Sequence, residues 1–220
     1  MRLSYQHFWE WFKRNHQNII ALNDKPRKEM LYWINELSAH LRSYCKFLEY
    51  ELRWVAPDHV LFTITVNGKS KLFKRVDALI SKAPQVPGWM IRALDGARPI
   101  DYNMEEQIEK TGADPRELRF SFGSPYKRKE SLVIYHPMCT VDNCEDFFLL
   151  ARGAVYNLLG ERQFGMEIGK VLIDEFILDP DLDYIDMLKE EVVYELESLP
   201  ELLGMRQSVI RVDKQGNLMG

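Results

Sequence analysis

Ala83-Pro84-Gln85-Val86-Pro87-Gly88-Trp89 decides how the centre of this chain is read. A residue before proline avoids the α region, so any helix arriving from the N-terminal side must stop by Ala83. Such a helix does arrive: Leu72, Phe73, Val76, Leu79 and Ile80 fall at helical spacing. Gly88 suits a turn, and Trp89-Met90-Ile91-Arg92-Ala93-Leu94 then reads as a strand. Upstream, Val60, Phe62, Ile64 and Val66 alternate with Leu61, Thr63, Thr65 and Asn67, the period of two of a strand. Asn67-Gly68 alone is a hairpin signal, but the helical spacing after it favours strand, turn, helix, strand. A helix between two strands permits a right-handed crossover and parallel pairing.

Working towards the N-terminus, Phe8, Trp11 and Phe12 share one helical face, with Trp9 off it. Asn23-Asp24-Lys25-Pro26 breaks that helix, and Pro26 suits the first turn of the next. Met30, Ile34, Leu37, Leu41, Tyr44, Leu48, Leu52 and Val55 then recur at steps of three and four. The stripe predicts a helix of ~26 residues and ~39 Å. It pairs with the first helix, or forms the seam of a homodimer.

Downstream, a short helix is expected around Met104–Lys110. Leu118, Phe120 and Phe122 mark a third strand and Leu132–Tyr135 a fourth, joined as an antiparallel hairpin with a basic tip at Lys127-Arg128-Lys129. Asp142 and Glu145 fit a helix start, followed by an apolar helix that Gly160 terminates. A fifth strand is expected at Lys170–Ile177, an acidic amphipathic helix at Tyr184–Leu199 and a weak strand at Ser208–Val212. The fold class is therefore α+β: an N-terminal helical pair packed on a mixed, mainly antiparallel sheet of about five strands, with helices on the sheet. The expected layout is a helical layer over 1–57, an α+β core over 58–203 and a C-terminal extension over 204–220, together one compact unit.

Composition narrows the function classes. Hydrophobic residues are 46% and charged residues 28%, which excludes a disordered chain. There is no apolar run of about 18 residues and no signal-peptide core, so a cytoplasmic protein with no membrane partner is expected. The three cysteines, Cys45, Cys139 and Cys144, then read as reduced thiols. Charge is uneven: residues 161–220 carry 6 Lys+Arg against 14 Asp+Glu, whereas 1–58 carry 9 against 7 and 59–160 carry 14 against 12. The acidic C-terminal helix can attract a basic protein partner or simply form a solvated face. An acidic chain (pI ≈ 5.8) argues against nucleic acid as the main partner.

Two constellations have ligand chemistry. His136, Cys139 and Cys144 offer the nitrogen and sulfur donors that zinc takes, without the second paired half of a structural site. The same residues can serve as a Cys/His nucleophilic pair, or as ordinary loop and capping residues. Asp179, Asp181, Asp183 and Glu190 occupy positions 1, 3, 5 and 12 of a calcium loop, but Tyr184 stands where the sharp turn needs glycine. An acidic helix start explains them equally. Arg116, Arg119, Lys127, Arg128 and Lys129 form a basic group with Tyr126 and Phe122 as stacking candidates, though alternation places Phe122 with the core. Phosphate-loop, dinucleotide, nucleophile-elbow and zincin motifs are absent, and no cofactor is expected.

Trp11-Phe12, Leu48-Glu49-Tyr50-Glu51-Leu52, the Ala83-Pro84 to Gly88-Trp89 junction with Ile91 and Ala93, and Leu158-Leu159-Gly160-Glu161 together resemble an uncharacterised family of conserved bacterial proteins. That resemblance implies no activity, cofactor or catalytic residue. The expected function is a non-catalytic protein-interaction or regulatory module; the alternative is a metal-binding protein or enzyme using the His136–Cys144 loop.

Overall fold

The structure, a computed structural model, describes residues 4–174 and 193–207. The chain is α+β and divides into two compact units, Met1–Asp95 and Gly96–Gly220. The expected boundary at 57/58 falls inside a hairpin turn, and the strands form two sheets rather than one of about five strands.

In the first unit, Ser4 caps α1 (Tyr5–Ile20) by accepting from the His7 N–H. A short 3-10 turn leads to α2 (Arg27–Tyr44), and the two helices make the expected N-terminal pair. Trp9 is buried although it lies off the predicted face: its Nε1–H donates to the Leu79 carbonyl at 2.9 Å.

The second helix stops well short of Val55. Residues 49–56 instead form β1 (Glu49–Ala56), antiparallel to β2 (His59–Thr65) from Glu49↔Thr65 to Ala56↔His59. The reason is a second period in the same residues. Leu48, Tyr50, Leu52 and Trp54 alternate with Glu49, Glu51, Arg53 and Val55, and that even-numbered set packs against the core. Both aromatic poles are tied back to helical segments: Tyr50 Oη donates to Ile34 O at 3.0 Å and Trp54 Nε1 to Ile20 O at 2.9 Å.

After β2 come α3 (Phe73–Ile80) and β3 (Trp89–Ala93), and β3 pairs with β2 in parallel, Val60↔Trp89 to Ile64↔Ala93. The sheet order β1-β2-β3 makes β2 central, and its residues from Val60 to Thr65 are buried. Phe12, Phe62 and Trp89 meet at its centre, with Phe12 and Phe62 stacked at 5.5 Å and Trp89 edge-on to Phe12 at 4.7 Å.

In the second unit, α4 (Glu105–Thr111) precedes the antiparallel hairpin of β4 (Arg119–Tyr126) and β5 (Lys129–Tyr135). Then come α5 (Cys144–Glu167), with Asn143 rather than Asp142 at its N-cap, and β6 (Ile168–Ile173). β6 pairs with β5 in parallel, so this sheet also holds a strand–helix–strand crossover. Phe147, Leu150, Ala151, Ala154 and Val155 of α5 pack in one core with Leu118, Phe120, Leu132 and Ile134. Gly160 breaks the helical geometry (φ 68°, ψ 164°), but the helix resumes beyond it, so Gly160 is a kink and not a terminus.

The predicted acidic helix over 184–199 is not borne out at its described end. Tyr194–Glu195 is a short strand, β7, which pairs with β4 through Phe120↔Tyr194. The Tyr194 ring lies 5.6 Å from Phe120, a cross-strand contact that a helix would forfeit. A 3-10 turn and α6 (Leu199–Gln207) follow, and the sheet order is β6-β5-β4-β7. The predicted strand at 208–212 lies outside the described residues.

Candidate functional site

His136 follows β5 and is 2% exposed. Its Nδ1 accepts the Met138 N–H at 3.2 Å, which places the proton of the neutral ring on Nε2, facing Glu117 Oε2 at 3.5 Å. The ring stacks on Phe147 at 5.0 Å. Burial pushes its pKa below the ordinary histidine value; Glu117 opposes that shift and Arg119 adds to it. Cys139, also 2% exposed, sits in the core cluster with Phe147, and Cys144 packs against that cluster at the start of α5. Among the described residues no three His, Cys, Asp or Glu side chains converge to hold a metal ion. Asp179, Asp181, Asp183 and Glu190 lie outside the described residues.

The basic residues separate into two groups. Arg116 is bound to Asp101 at 2.6 Å and to Asp114 at 3.2 Å, and Arg119 faces Glu195 at 3.6 Å, so these cations have carboxylate partners. Phe122 packs on the core as alternation predicted, with the Arg206 guanidinium 4.0 Å from its ring centre. Lys127 and Arg128 form the turn of the β4–β5 hairpin. Beside them lies a cavity of about 370 Å³ lined by Arg128, Lys129, Glu130, Met166, Glu167 and Arg206, together with Leu203.

In the first unit, the stretch from Ala83 to Trp89 borders an open groove of about 660 Å³. Ile80, Val86, Trp89 and Ile91 line it together with Gln85 and the backbone of the Pro84–Pro87 stretch, so its surface is mixed polar and apolar. The groove runs beside β3, the edge of its sheet. Val60 N–H donates to Gly88 O at 2.8 Å and Leu94 N–H to Ile64 O at 2.9 Å. Successive residues of a parallel strand turn their backbone groups to opposite sides, so Met90 and Arg92 face β2 while Ile91 and Ala93 face outward. No strand among the described residues pairs with that edge. Sequence reasoning placed the strand but gave no sign that it ends the sheet, because strand order is a tertiary property.

Neither a protein family, a curated protein nor a solved structure matches this chain.

Proposed function

We propose that the protein is a non-catalytic interaction module whose first unit takes an extended segment of a partner protein along β3. The observation that carries this reading is that the outward backbone groups of Ile91 and Ala93 lie beside an open groove lined in part by Ile80, Val86 and Trp89. Main-chain donors and acceptors on a sheet edge recognise another extended chain, and adjoining pockets select its alternate side chains. Ile80, Val86 and Trp89 supply such pockets for apolar side chains.

Peptides selected from a display library, mapped by amide NMR, test this. Binders with alternating apolar residues are expected to shift the Ile91 and Ala93 amides. Ala93→Pro removes an outward donor and leaves the inward ladder in place, because proline is tolerated where a strand's N–H faces away from its neighbour. That variant is expected to lose binding while keeping its fold. Binders that map elsewhere and ignore Ala93→Pro would refute the reading. A stoichiometric metal in the purified protein would instead favour a function centred on His136, Cys139 and Cys144.

A further inference from the structure

The tip of the β4–β5 hairpin combines two unusual features. Tyr126 pairs with Lys129, so the loop between them is only Lys127 and Arg128, and both adopt positive φ, 52° and 65°. Two-residue turns of this hand favour Asn-Gly, because a Cβ is unfavourable in the left-handed region. Here the turn carries two long cations at a conformational cost. Strain of this kind concentrates where a side chain is needed for something besides folding.

A third cation arrives from β6. Register runs from Glu130↔Ile168 to Ser131↔Lys170, which leaves Gly169 as an unopposed bulge residue. A Cβ on Gly169 would lie 2.7 Å from the Tyr126 carbonyl oxygen, so only glycine lets β6 come this close to the hairpin end. The next residue, Lys170, places its Nζ 4.3 Å from the centre of the Tyr126 ring, and Lys127 Nζ lies 5.0 Å from it. The tyrosine is 37% exposed. Its hydroxyl is more acidic than an ordinary phenol, first through its hydrogen bond and charge interaction with Lys127 and then through Lys170.

Lys127, Arg128 and Lys170 have no carboxylate partner among the described residues. Their neighbours Lys129 and Arg206 are engaged, with the Gly165 carbonyl and with Glu130 at 3.0 Å respectively. We propose that Lys127 and Lys170, both beside the Tyr126 ring, form with Arg128, the next residue of the turn, a binding site for a dianionic phosphate group. Three cations without counter-charges among the described residues, one of them a guanidinium able to donate two parallel hydrogen bonds, match the oxygens of a phosphate. The site is compact: in the adjoining cavity Lys129 and Arg206 are already engaged, with the Gly165 carbonyl and with Glu130, and offer no free cation to a continuing polyanion. That favours a single phosphate, carried by a small soluble molecule or by a lipid headgroup, over a nucleic-acid strand.

Two probes separate those sources: inorganic phosphate, and phosphatidylcholine vesicles with or without a phosphatidylinositol phosphate. The readout is Tyr126, followed by NMR of ring-labelled tyrosine through its alkaline titration at fixed ionic strength. Bound phosphate offsets the lysine charges, so the titration of Tyr126 is expected to move to higher pH. Arg128→Gly and Lys170→Gln are each expected to weaken binding by about tenfold or more, since a charge-assisted hydrogen bond contributes ~1.5–3 kcal/mol. A response to inorganic phosphate identifies a soluble ligand. A response only to vesicles holding the phosphorylated lipid identifies a headgroup. If Tyr126 responds to neither probe, or responds equally in both variants, the proposal is overturned.

Discussion

Gly88 and Asp58 touch through their backbones: a Cβ placed on Gly88 would lie 2.3 Å from the Asp58 carbonyl oxygen. Gly88 also has φ 78°, and its own carbonyl accepts the Val60 N–H at 2.8 Å, the first rung between β2 and β3. A methyl group here meets rigid backbone, so relief must come from moving the strand start. Gly88→Ala is expected to lower stability by about 3 kcal/mol, combining left-handed strain with a displaced ladder. Urea unfolding of the two proteins, compared at equal slope, measures the loss.

That junction was legible because its signals agree. Pro84 and Pro87 forbid helix, Gly88 permits the positive φ, and Trp89 begins an apolar strand. Residues 48–55 misled because two periods share them. Leu48 and Leu52 fit a helical stripe and an alternating strand alike, and pairing with the buried β2 settles the contest. The basic tip was visible in Lys127-Arg128-Lys129, but its third cation was not. Lys170 lies far away in sequence, and only the parallel β5–β6 register brings it to Tyr126.

Trp9 and Trp11 separate by role. Trp9 is buried and donates to Leu79 O, whereas the partly exposed Trp11 stacks on His40 at 4.3 Å. Trp9→Phe removes the indole donor from the Leu79 carbonyl, which keeps the Lys82 N–H at 3.2 Å, and opens space in the core. The expected cost is about 2–3 kcal/mol, against roughly 0.5 kcal/mol for Trp11→Phe at its surface stack. Thermal unfolding ranks the two, and equal costs would contradict the assigned roles.

Stability is expected to fall on mild acidification. His16, His40 and His136 all titrate below the ordinary histidine value, chiefly through burial. For His40 the neighbouring Glu36 opposes the shift and His7 adds to it. The unfolded chain therefore takes up these protons first, near its ordinary value of about 6.5, while the folded protein stays neutral there. More protons on the unfolded state mean that stability declines as pH falls from about 6.5 toward the lower folded values. Carboxylates whose ion pairs hold their pKa down, such as Asp101 beside Arg116, act at lower pH and do not blur this window. Urea midpoints measured between neutral pH and about pH 5.5 test the trend, and His136→Gln is expected to flatten it.

The hairpin tip sets stability against the proposed binding role. Lys127 and Arg128 hold positive φ in a two-residue turn, so Lys127→Asn with Arg128→Gly installs the residues that this geometry favours. The exchange removes left-handed strain from two residues, and about 1 kcal/mol of added stability is expected. It also leaves Lys170 as the one ammonium over the Tyr126 ring. The tyrosine hydroxyl loses its Lys127 hydrogen bond and moves back toward ordinary phenol acidity. A rise in melting temperature together with a higher-pH tyrosine titration is the expected pair of results. An unchanged or lower melting temperature would show that the Lys127-Arg128 turn carries no strain to release, and would remove the conformational argument for an anion site at this tip.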